Sequence, residues 1–157
     1  MSGSDIEIQN FEVDSLNKYD FPLTVHYEFD LKKQSAADIL YFDPMFGEQY
    51  KTNPFKSMER HYPVEIPYLL DDTYTLTMDI PSGYQVDELP KSARVAYNEK
   101  EGLFEYLVQK GEGNIMMRVH LKLNKAFFPV EEYTTLRDFF AFMVKKENEQ
   151  IVFKKIK

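Results

Sequence analysis

Hydrophobic and polar residues alternate along most of this chain, and that alternation predicts strands. In "LTVHYEFDL" (23–31), Leu23, Val25, Tyr27, Phe29 and Leu31 alternate with Thr24, His26, Glu28 and Asp30. Successive strand side chains point to opposite faces, so the run reads as a half-buried strand. "TYTLTMDI" (73–80) repeats the pattern, with Tyr74, Leu76, Met78 and Ile80 on one face. "IMMRVHLKL" (115–123) sets Ile115, Met117, Val119, Leu121 and Leu123 against Met116, Arg118, His120 and Lys122. Weaker strands fit "DIEIQNFEV", "DILYFDPMF", "ARVAY", "LFEYLVQ" and the closing "IVFKKI". Pro81 and Gly83 in "IPSGY" suit a turn, and "NEKEG" and "KGEGN" read as hairpin connectors.

The period changes once. In "PVEEYTTLRDFFAFMVKKENEQ", Tyr133, Leu136, Phe140 and Met143 follow 3-4-3 spacing, widened by Phe139 and Val144. That stripe predicts a helix packed on a sheet, with Phe142 off the stripe and exposed. Pro129, Glu131 and Glu132 suit its start, and Lys145 and Lys146 its end. The fold class expected is mostly β: an antiparallel, immunoglobulin-like β-sandwich with one C-terminal helix and a final strand. A closed barrel with a packed helix is the rival.

Composition narrows the class. The 157 residues suit one domain, and 13 Phe with 11 Tyr suit strands and a packed interior. The small polar opening, residues 1–4, reads as a linker or expression remnant, leaving 5–157 as a single domain. A net charge of -7 gives no broad cationic surface, which argues against nucleic acid and anionic membranes as partners. No apolar run approaches a membrane span, and no signal peptide is visible in the opening residues. Cysteine is absent, which removes disulfides, thiolate metal sites and cysteine nucleophiles together.

Candidate chemistry is sparse. His26 and His120 fall on polar strand faces and read as solvated imidazoles, and no His pair has a zinc-protease spacing. No Gly-x-Ser-x-Gly elbow or phosphate-binding glycine loop occurs. The acidic pairs read as surface charge. No cofactor, metal ligand or catalytic residue is expected. Exposed rings are expected at Phe142, Tyr97 and Phe55. A Tyr- and Phe-rich sandwich leaves a ligand-binding β-domain, for a carbohydrate or a small apolar molecule, as the alternative function.

The order of landmarks carries more. "YFDPMF", "NPFKSMERHYPVEIPY" (53–68), "TYTLTMDIPSGYQVDELPKS", "NKAFFPVEEYTTLRDFF" and "EQIVFKKI" follow one another. Together they resemble a bacterial domain of unknown function found at the C-terminal end of transglutaminase-like proteins, chiefly in Bacteroidetes. The resemblance implies a non-catalytic β-sandwich accessory domain of an exported protein, periplasmic or in the cell envelope. It implies as partner the upstream transglutaminase-like domain of the same polypeptide. Such a core works through Cys, His and Asp, and this chain has no Cys. On this reading the segment 53–62 is a loop at one end of the sandwich. Lys56, Glu59 and Arg60 there, with Phe142 on the helix, are the candidate interdomain contacts.

Overall fold

A computed structural model describes residues 6–31 and 37–157; the opening residues 1–4 lie outside the described residues. Backbone contacts gather into two compact units, residues 1–37 and 38–157.

The first unit is a hairpin of β1 (Ile6–Asp14) and β2 (Thr24–Leu31). A register shift between Ile8 and Asn10 flips the parity of β1. Ile8, Phe11 and Val13 therefore share one face with their partners Phe29, Tyr27 and Val25. This face was expected to be half-buried. Instead Phe11 and Tyr27 are exposed, because a two-stranded ribbon has no second layer of its own.

The second unit has two principal sheets. The longer contains β5 (Leu70–Asp79), β7 (Ala93–Tyr97), β8 (Gly102–Lys110) and β9 (Asn114–Leu123), in the order β5-β9-β8-β7. The shorter contains β3 (Ile39–Phe42), β6 (Tyr84–Glu88) and β11 (Ile151–Lys155), in the order β3-β11-β6. Every pairing is antiparallel. The short strands β4 (Val64–Glu65) and β10 (Phe127–Phe128) form a small third pair. No sheet closes into a barrel among the described residues.

The alternating pattern of β9 is realised in full. Ile115, Met117, Val119, Leu121 and Leu123 are all buried. Ile115 joins Tyr84, Ile151 and Phe153 in a cluster with Leu40, Phe42, Met78, Val86 and Val108 around it. Residues of both sheets meet there, so the core is a sandwich interior. The rest of the inner face is covered by helix α1 (Tyr133–Glu147), preceded by a 3-10 turn, Val130–Glu132. Its predicted stripe is the buried one: Tyr133, Leu136, Phe139, Phe140 and Met143. Each such side chain contributes about 1.5–3 kcal/mol by leaving water.

The ring of Tyr97 does not lie at the surface as expected. It is 1% exposed, packed against Phe128 and Phe139, and its hydroxyl donates to Glu132 at 2.8 Å. Strand β7 lies at the sheet edge, but its end runs beneath the helix. Burial, then Glu132, pushes the Tyr97 hydroxyl pKa well above the usual phenol value.

Candidate functional site

The segment 53–62 is a loop seated on α1. Asn53 closes its first turn, accepting from the Phe55 backbone N–H at 2.9 Å and donating to the Arg137 carbonyl at 2.8 Å. Phe55, expected to be exposed, is half-buried edge-on against Phe140 and Tyr133, at 5.0 and 6.2 Å. Tyr133 Oη donates to the Ser57 carbonyl at 2.8 Å, and Arg137 Nη1 to the Met58 carbonyl at 2.9 Å. Two carbonyls the loop does not satisfy itself are thus answered by one helix face.

This anchoring turns the polar side chains outward. Lys56, Glu59, Arg60 and His61 are exposed, beside Met58 and Tyr62 at 79% and 78% exposure. Among the described residues Lys56, Glu59 and Arg60 form no ion pair with one another. Arg60 instead lies 5.8 Å over the Tyr133 ring, a cation–π contact that fixes its direction. Phe142 is 38% exposed and meets the Phe104 ring edge-on at 6.3 Å. It lies five positions beyond Arg137, about 140° around the helix axis. The four candidate residues therefore fall on two separate patches, the loop and the flank of α1.

A polar network that the sequence did not single out crosses the outer face of the four-stranded sheet. Register sets Thr73, His120, Glu105 and Arg94 in one row across β5, β9, β8 and β7. His120 Nε2 donates to Asp71 at 2.8 Å, and Lys122 reaches the same carboxylate at 2.6 Å. Glu105 takes Arg94 at 3.2 Å and Arg118 at 3.3 Å, with His120 Nδ1 at 3.8 Å. Lys122, then His120, holds the Asp71 carboxyl below its ordinary range. His120 is packed between two carboxylates rather than freely solvated. Only strand register reveals this, because its partners lie 15 and 49 residues away in sequence.

The last turn of α1 buries a third group. Glu147 is 5% exposed and accepts the Tyr50 backbone N–H at 3.0 Å, while Asn148 donates to the Tyr50 carbonyl at 3.0 Å. Burial pushes the Glu147 carboxyl up to about 7. Lys146 lies over the Tyr106 ring and donates to Glu149 at 2.6 Å. A carboxyl titrating near neutrality suits acid–base work, but the nearby open groove, of about 530 Å³, is lined by Tyr41, Lys91, Lys146, Asn148 and Glu149 and not by Glu147. The arrangement clasps the chain at Tyr50. A second open groove, of about 560 Å³, runs along Arg94, Leu103 and Lys122. Among the described residues, no group of three His, Asp or Glu is placed to hold a metal ion, and no helix is long and apolar enough to cross a membrane.

Comparison with known proteins gives a family and a fold. The family matching residues 38–153 is described as a domain of unknown function with a solved structure, DUF3858. Its match starts at the boundary between the two units. No curated protein matches the chain. A crystal structure from Parabacteroides distasonis, of a protein named a "putative protease", is similar with a TM-score of 0.54 and 18% identity. The similarity covers 62% of this chain and 19% of that one, and at such identity it shows the fold alone.

Proposed function

This chain belongs to the DUF3858 family, and from that membership we propose that it is a non-catalytic accessory domain of a larger exported protein. The protein would carry a transglutaminase-like or protease-like core, and the chain would dock against it. The observation that carries the reading is one of proportion: a fold filling most of this chain occupies 19% of a much longer protein. The absence of Cys assigns any thiolate nucleophile to another region. The docking surface proposed is the 53–62 loop, where Lys56, Glu59 and Arg60 stand on a backbone fixed by α1. Such preorganisation lowers the entropy lost on association. Phe142 forms a second contact on the helix flank. The setting proposed is the periplasm or cell envelope.

Calorimetric titration of this chain against the core region of its full-length protein tests the reading. Saturable binding is expected, weakened about tenfold or more by Arg60→Ala or Phe142→Ser, as for interface anchors. Absence of saturable binding between the two folded pieces, with heats recorded at two temperatures, would overturn it.

A further inference from the structure

Strand β5 pairs with β9 on one side and lies at the margin of its sheet. Which of its backbone groups face outward follows from the hydrogen bonds at the sheet end. The Ile80 N–H donates to the Gly113 carbonyl at 2.9 Å, so Ile80 and Gly113 form a bonded pair. Bonded and non-bonded pairs alternate in an antiparallel ladder. Met78, Leu76, Tyr74, Asp72 and Leu70 therefore bond to β9, opposite Ile115, Met117, Val119, Leu121 and Leu123. The β8–β9 pairing agrees, since Gly111 donates to Asn114 and Asn124 to Glu101, which assigns the even positions of β9 to β8.

What remains at the margin is the backbone of Asp71, Thr73, Thr75, Thr77 and Asp79. Among the described residues these N–H and C=O groups have no partner, and all five residues are exposed. The edge is 10 residues long with no register shift and no proline, whereas β3, β6 and β7 run to five residues or fewer. Long flat edges are normally blunted by bulges, prolines or lysines. Here the only guards are acidic, with Asp71 and Asp72 at one end and Asp79 at the other. Asp71 is already engaged by Lys122 and His120, which leaves Asp72 and Asp79 to meet an incoming chain. Between them Thr73, Thr75 and Thr77 have high strand propensity and no charge.

We propose that this edge is a docking site for an extended polypeptide segment with basic residues at its ends, which adds as a fifth strand. Main-chain hydrogen bonds would supply affinity and the acidic ends selectivity, as in other strand additions. A second copy of the chain fits less well. Two-fold pairing centred on Thr75 would set Asp71 against Asp79 twice, between molecules that each carry a charge of -7. This surface is distinct from the 53–62 loop and does not depend on the accessory reading.

The probe is a short synthetic peptide of alternating threonine and valine with lysine at both ends, titrated into the whole chain and followed at backbone amides. Saturable binding is expected, with the largest shifts and slowed hydrogen exchange at residues 71, 73, 75, 77 and 79. Thr75→Pro deletes an outward N–H while sparing the β9 ladder, as proline at an edge does, and should weaken binding about fivefold to tenfold. If that variant fails to fold, the pair Asp72→Lys with Asp79→Lys decides, by reversing preference toward a peptide with glutamate ends. Absence of saturable binding, or binding indifferent to these changes, would overturn the proposal. So would shifts at the same amides that grow with protein concentration and no peptide, since a second copy would then fill the edge.

Discussion

At the scale of single residues, Glu147 is the group whose behaviour departs most from its sequence context. It stands in "KKENEQ", which reads as the solvated tail of a helix, yet it is buried and holds the Tyr50 backbone. Nothing local reveals this, because its partner lies 97 positions away. Desolvation wins over the Tyr50 hydrogen bond, so the folded chain binds the Glu147 proton more tightly than the unfolded chain does. Between about pH 4.5 and about 7 the folded state carries the extra proton, and stability falls as pH rises through that window. The full span corresponds to roughly 3 kcal/mol. Asp71 and Glu101 are shifted downward, so their linkage has the opposite sign and acts at more acidic pH. Glu147→Gln keeps an acceptor for Tyr50 and removes the proton. Urea denaturation at pH 5 and pH 8 should show the variant gaining about 1–3 kcal/mol at the higher pH, with a flatter profile. A variant that is weaker at pH 8 with the slope intact would refute this account of the clasp.

At the scale of elements, legibility followed the strength of the period. The long alternating runs at 73–80 and 115–123 and the helical stripe became β5, β9 and α1 with the expected faces turned inward, buried in β9 and α1 and, apart from buried Leu76, half-buried in β5. Strands β6 and β10 carried too few alternating residues to stand out in "GYQVDE" and "AFFP", and β4 is too short, at 2 residues, to show a period at all. The loop 53–62 was legible as punctuation by Pro54 and Pro63, but its seat on Tyr133 and Arg137 was not. Contacts across 76 and 79 positions leave no local trace. Gly102 shows how tightly the elements meet. It pairs with Tyr97 on one side and Leu123 on the other. A Cβ there would lie 2.6 Å from Leu123 Cδ2 and 2.9 Å from the Lys122 carbonyl oxygen. The leucine tip can turn aside, but the carbonyl belongs to the ladder. Gly102→Ala should therefore cost about 1–3 kcal/mol in a thermal or urea melt, as overpacking does. Unchanged stability would mean that β8 and β9 can separate locally at no cost.

At the scale of the whole molecule, the two units differ in what they can support alone. Every buried hydrophobic residue of the described chain, from Met45 to Phe153, belongs to residues 38–157. That unit has two sheets and a helix closing one interior, and the family match covers nearly all of it. The hairpin has an apolar face and no core, and a lone two-stranded hairpin is marginal in water. Sequence alternation could not separate these cases. The pattern in "LTVHYEFDL" is as regular as that in "IMMRVHLKL", and period reports which residues share a face without reporting whether a second layer covers it. A chain trimmed to 38–157 should therefore keep a cooperative unfolding transition and dispersed aromatic signals, with stability within about 1 kcal/mol of the full chain, because no core side chain is lost. The peptide 1–37 alone should give the circular dichroism of an unfolded chain. A trimmed chain that melts without cooperativity would show instead that the hairpin is part of the same folding unit as the sandwich.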